Sequence, residues 1–177
     1  MVTSVGAGSP RRAMLVGTAA TVVASLPVFF TAAMAVPLRA ELGFGTVGIG
    51  AAVGVFFGTM AVSSLYLGRV ADRLGATVSL RIATLGVAAA ALGIAALSRD
   101  WLSLTAGLVV AGLAAALAQP AANRLLINRV RGARLGTAFG FKQSAPPTAS
   151  MLAGLAVPAI SLTVGCAGRS RSRGPPP

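Results

Sequence analysis

The chain has 177 residues, 55% of them hydrophobic and only 10% charged, with a mean hydropathy of +0.83 and a net charge of +12. This apolar balance excludes a disordered chain, and so few charges cannot clothe an ordinary soluble enzyme, whose residues are about a quarter charged. With no histidine and a single Cys166, the sequence predicts no disulfide framework, no metal or cofactor site and no histidine-dependent triad.

A helix that crosses a membrane needs roughly 20 apolar residues, and charge-free stretches mark five of them in chain order. After a short N-terminal segment, 1–12, the first predicted span is 13–38, from Ala13 to Leu38 between Arg12 and Arg39. It is too long for a cleaved signal peptide, and further spans follow. Thr18, Thr21 and Ser25 fall on one face of it, continued by Phe29 and Ala32. These hydroxyls are candidates to line a cavity; the alternative is that each bonds the carbonyl four residues back.

The second predicted span is 46–68, inside the charge-free run Leu42–Gly68, where Gly50, Gly54 and Gly58 recur every four positions. Gly136 and Gly140 repeat that spacing further on. In lipid, where no hydrophobic force drives helices together, such stripes predict close backbone packing. The third span, 78–98, holds Arg81 at its edge and is followed by the two-residue turn Arg99-Asp100.

The fourth span, 101–123, carries Gly112, Gln119 and Asn123 on one face, with Pro120 expected to kink it. Gln119 and Asn123 are polar cavity candidates, the second also bordering the basic group from Arg124 to Arg134.

The fifth span, 135–162, is interrupted only by Lys142, roughly 12 Å along the helix from Arg134 at 1.5 Å per residue. An intramembrane charge is expensive and marks a functional site by default. Gln143 beside it and Pro146-Pro147 after it predict a disrupted helix whose freed carbonyls need partners. No acid lies inside any predicted span, so either an anionic solute balances Lys142 or the side chain snorkels to the interface.

Five spans alternate sides, which makes the loop charges a test. Arg11, Arg12, Arg69, Arg73, Arg81, Arg124, Arg129, Arg131 and Arg134 fall on one side, against Arg39 and Arg99 on the other. The positive-inside rule makes the first side, N-terminus included, cytoplasmic. The basic residues sit in short groups between apolar runs with no interleaved aromatics, so the expected partner is the lipid bilayer and not nucleic acid.

The segment after the second span reads Gly68-Arg69-Val70-Ala71-Asp72-Arg73-Leu74-Gly75. It resembles the loop signature of the major facilitator superfamily: a glycine, Asp-Arg four residues on, then glycine two further, in a short loop between spans two and three. By chemistry alone, Gly75 permits a left-handed helix terminus. Asp72, the one acid on that basic face, can cap a helix or pair with an arginine. Ala76 and Thr77 stand where the family pattern usually ends in two basic residues. Leu108 stands where many proton-coupled members carry an arginine four residues before Gly112. The run Gly136-Thr137-Ala138-Phe139-Gly140-Phe141-Lys142-Gln143-Ser144 resembles span five of bacterial cyanate and nitrate/nitrite-type permeases.

The resemblance implies an all-α membrane protein, the N-terminal five helices of a twelve-helix transporter in the bacterial inner (plasma) membrane. It also implies secondary-active movement of a small solute by alternating access, with no covalent chemistry. Spans one, four and five would then line the central cavity. The spans hold no carboxylate or histidine for acid–base work, so no enzyme is expected. The alternative is a small self-contained membrane protein, an oligomeric exporter or an assembly subunit; small four-helix exporters usually rely on an acid in the first span, which Ala13–Leu38 lacks.

Residues 166–177 change character, with three arginines and three prolines on the outer side against the charge rule. The expected cause is a reading-frame slip: restoring one base to a possible coding sequence for 165–170 gives an interfacial aromatic stretch leading into a sixth span. On that reading the chain lacks its sixth helix and the C-terminal half of the transporter, and does not transport by itself. A genuine disordered tail is the alternative.

Overall fold

The computed structural model describes residues 9–36, 45–97, 100–132 and 134–156, and no strand occurs among them. The helices are α1 (Pro10–Ala33), α2 (Thr46–Leu74), α3 (Ala76–Leu97), α4 (Trp101–Arg129) and α5 (Arg134–Gln143). After a turn at Ser144 the chain is helical again over 145–156. Arg39, Glu41, Arg99, the outer end of the fifth predicted span and the Arg/Pro tail lie outside the described residues.

Four helices, α1 to α4, are long and apolar enough to cross a membrane. The helices overrun the charge-free stretches. α1 starts at Pro10 because Ser9 caps it, accepting from the Arg12 amide at 3.4 Å, and proline needs no amide partner in a first turn. α4 runs unbroken through Pro120 to Arg129. The predicted loop at 68–75 is almost entirely helix: nothing in Arg69–Leu74 breaks α2, and Gly75 alone separates it from α3. Gly75 has φ 81° and ψ 156°, a region essentially reserved for glycine, and donates its amide to the Ala71 carbonyl at 3.0 Å.

α4 is the centre of the bundle, packed on α1, α2 and α3. Its buried face is mostly alanine, including Ala111, Ala115, Ala118 and Ala122, with Leu104 and Leu108 toward its start. Ala24 and Val28 of α1, Ala52 and Phe56 of α2, and Ala83 and Val87 of α3 complete this core.

Close approach is made by glycines other than those in the predicted stripes. A Cβ on Gly112 would stand 2.8 Å from the Phe56 carbonyl oxygen and 3.2 Å from Thr59 Cβ; one on Gly86 would stand 3.1 Å from Ala114 Cβ. A Cβ at Gly50, Gly54, Gly58, Gly136 or Gly140 would meet nothing within 4 Å. The stripe on α2 is therefore not a seam of the described bundle, because α2 turns Ile49, Ala52 and Phe56 inward instead.

At the end away from the arginines, the Trp101 indole N–H donates to the Gly48 carbonyl at 2.9 Å and ties α4 to α2. Asp100 and Ser103 form a capping box on α4, with the Ser103 amide 2.9 Å from Asp100 Oδ1. The Ser103 hydrogen bonds hold the Asp100 carboxyl below the usual carboxylate range. A depressed folded-state value means that the cap's ionic contribution is complete above the unfolded value, about 3.9, and fades as pH falls through the lower folded one. Asp100→Asn keeps a capping residue but cannot titrate. The stability difference from the parent is therefore expected to shrink on acidification below pH ~4, as read from thermal melts at a series of pH values.

Candidate functional site

Gln119 and Asn123 are four residues apart on α4 and so share a face. They point at α5, where Lys142 is buried, 5% exposed, in the last turn. Lys142 Nζ donates to Gln119 Oε1 at 2.7 Å and to Asn123 Oδ1 at 2.8 Å. Three candidates from two predicted spans thus form one cluster, and the ammonium is held between helices instead of reaching out along its own. An ammonium has three donors and no acceptor, so it meets both amides through their carbonyl oxygens. Both amide nitrogens consequently face away from it, and no hydrogen bond occupies them among the described residues.

Among the described residues no acid joins the cluster. Of the chain's three, Asp72 is engaged elsewhere, Asp100 caps α4, and Glu41 lies outside the described residues. Gln143 is exposed and stands apart from the cluster. Beyond it, Ser144 makes the turn, its amide donating to the Phe141 carbonyl at 3.2 Å and its hydroxyl to the same oxygen at 2.7 Å. Pro146 and Pro147 have no amide N–H to give the Lys142 and Gln143 carbonyls, and the helix breaks where the prolines predict.

The α1 hydroxyls divide. Thr21 donates to the Gly17 carbonyl at 2.9 Å and Ser25 to the Thr21 carbonyl at 3.0 Å, so both are satisfied within their own helix. Thr18 is the exception: its Oγ1 is buried and has no partner among the described residues. Its neighbour Gly17 lies against α4, where a Cβ would be 3.8 Å from the Ala122 carbonyl oxygen and from Leu126 Cγ. One turn before Thr18, Met14 packs on the cluster of Leu126, Val130 and Ala138 that joins α4 to α5.

In the family-signature segment, Asp72 Oδ1 lies 2.6 Å from Arg124 Nε on α4. This pairing was not legible in the sequence, where Arg124 reads only as part of a basic group; the residues are 52 positions apart, and only the fold brings them together. Gly68 and Arg73 sit in the last turns of α2, with Arg73 exposed, and Gly75 makes the break. Both partners of the ion pair are about half exposed, which limits it to roughly 0.2–1 kcal/mol of stability. Asp72→Asn is therefore expected to leave insertion and stability within about 1 kcal/mol of the parent, and, if the resemblance to a transporter holds, to slow transport by the complete carrier. A double-mutant cycle with Arg124→Gln reads the coupling, and unchanged uptake kinetics would reduce the pair to a surface contact.

At the opposite end, a cleft of about 750 Å³ opens between α1, α3 and the 145–156 helix, lined by Val23, Pro27, Phe30, Val87, Ile94 and Leu152 among others. Its lining is overwhelmingly apolar, and none of the polar trio reaches it.

Residues 17–167 match the family model described as Major Facilitator Superfamily. No curated protein and no solved structure matches the chain.

Proposed function

The chain belongs to the Major Facilitator Superfamily, a family of multi-pass membrane transporters, and from that premise we propose that it forms one bundle of a carrier that moves a small anionic solute by alternating access, and does not transport without the second bundle. The observation that carries this reading is Lys142: a buried cation between α4 and α5, hydrogen-bonded to two neutral amides and to no acid among the described residues. A buried charge without a counter-charge costs several kcal/mol, and a bound anion supplies what the protein withholds. The likeness of Gly136–Ser144 to span five of cyanate and nitrate/nitrite-type permeases points the same way. The bundle would act as one of two that rock about a shared midplane site, its counterpart being a second bundle of the same kind.

Uptake of labelled anionic, neutral and cationic solutes by membrane vesicles containing the complete two-bundle carrier tests the reading. Saturable uptake confined to anions is expected; uptake of neutral solutes alone overturns it. The same proposal sets the orientation in a bacterial inner membrane, with the arginine-rich end cytoplasmic. A reporter fused after Asp100 is expected outside the cytoplasm and one fused after Gly132 inside, and the reverse at either point sinks the topology.

A further inference from the structure

The trio is more selective than its charge alone. Lys142 uses two of its three N–H donors on Gln119 and Asn123, and no partner takes the third among the described residues. By accepting with their oxygens, the two amides are locked with their four N–H donors turned outward, because reversing either would set an NH2 group against an ammonium. Every side chain in the trio therefore turns N–H donors outward, while the two amide oxygens are turned toward the ammonium.

A second, independent observation comes from α1. Thr21, Ser25 and Thr31 each donate to the carbonyl four residues back, at 2.9, 3.0 and 2.8 Å, as membrane hydroxyls commonly do. Thr18 does not, although its Oγ1 is buried and the Met14 carbonyl stands in the same relation to it. Met14 packs on the cluster of Leu126, Val130 and Ala138, to which α1 and α5 both contribute, and Thr18 and Lys142 each lie four residues further along their own helices from Met14 and Ala138. An orphaned hydroxyl on α1 and an ammonium N–H without a partner on α5 thus each follow by one turn a residue of the cluster these two packed helices share. A buried donor left unmade is costly, more so when charged.

Resting on the anion-transport reading, we infer that the Lys142–Gln119–Asn123 site, with Thr18, takes a singly charged oxyanion bearing at least two acceptor oxygens, a carboxylate group being the simplest. One oxygen meets the ammonium and the outward amides, and the other meets the Thr18 hydroxyl. The site offers one uncompensated positive charge, since Arg124 beside Asn123 is paired with Asp72. A second negative charge on the ligand would be buried unpaired, so dianions are excluded on the same physics that favours the monoanion.

The test is ligand binding to the purified chain in nanodiscs of neutral lipid. Melting-temperature shifts and equilibrium dialysis are read against acetate, nitrate, sulfate, glycerol and choline, with ionic strength matched by chloride. Acetate is expected to bind saturably, and nitrate distinguishes an inorganic source of the same planar group from a carboxylate. Sulfate, glycerol and choline are expected not to bind. Lys142→Met should abolish binding; Lys142→Arg, which keeps the charge should the methionine variant misfold, should retain part of it. Thr18→Val removes only the orphaned hydroxyl and should weaken acetate about tenfold, the worth of one hydrogen bond to a charged group, without lowering the melting temperature of the free protein. Sulfate binding as tightly as acetate, or Thr18→Val binding like the parent, overturns this inference and leaves the anion reading standing. Binding of glycerol or choline with no anion bound, or of nothing at all, overturns both.

Discussion

In the complete two-bundle carrier, Lys142→Ala is expected to reduce anion uptake by about 30-fold or more, the consequence of leaving one member of a buried charge pair alone at 2–5 kcal/mol. Lys142→Arg should keep part of the activity, because the charge remains but a planar fork replaces a compact ammonium that fits between two amides. The informative companion is Lys142→Met, which keeps the length and drops the charge. Burying an ammonium costs stability, and neutral replacements of buried ions are often neutral or stabilising. The methionine variant should therefore melt at or above the parent while failing to transport. A lysine kept for structure would give the opposite pattern, with stability and uptake falling together. If alanine and arginine variants both transport normally, the cluster is no solute site.

Gly112→Leu is the largest structural effect expected. A first side-chain carbon there already lies 2.8 Å from the Phe56 carbonyl oxygen, and backbone cannot swing aside as a flexible side-chain end can. Overpacking of this kind costs about 1–3 kcal/mol for modest additions, so Gly112→Ala should fall in that range and Gly112→Leu beyond it, separating α2 from α4. Gly54→Leu is the control: nothing stands within 4 Å of its Cβ position, and its effect should stay near ±0.5 kcal/mol. Denaturant titration of the purified variants checks all three. If Gly112→Leu unfolds with the parent, the α2–α4 contact is not as close as described.

The first four spans were legible because charge is expensive in lipid: each of those charge-free runs falls largely inside one helix, whereas the fifth is split at Ser144. Helix ends were not, since a helix leaving the apolar layer stops only where something stops it. α2 runs past Arg69 to Leu74 until Gly75, and α1 reaches back to Pro10 because Ser9 caps it there. The three site residues were each visible as polar atoms in apolar runs. Their meeting was not, because Lys142 is 23 residues from Gln119 and 19 from Asn123, and pairing across helices depends on rotations that no local spacing sets. The glycine stripes show the converse failure. Gly50, Gly54 and Gly58 have the right period, but α2 is rotated to present Phe56, and the tight contact falls to Gly112 on the facing helix.

The alanine-lined centre of the bundle carries a mechanical consequence. Between α4 and its three neighbours most of the buried side chains are single methyl groups, which have no rotamers to exchange. A core of long side chains can absorb a shift by flipping torsions; one of methyls against backbone can only keep its shape or come apart. Load applied at one end, where Trp101 is tied to Gly48, therefore reaches the other, where Arg124 holds Asp72, as displacement of the whole body with little internal give.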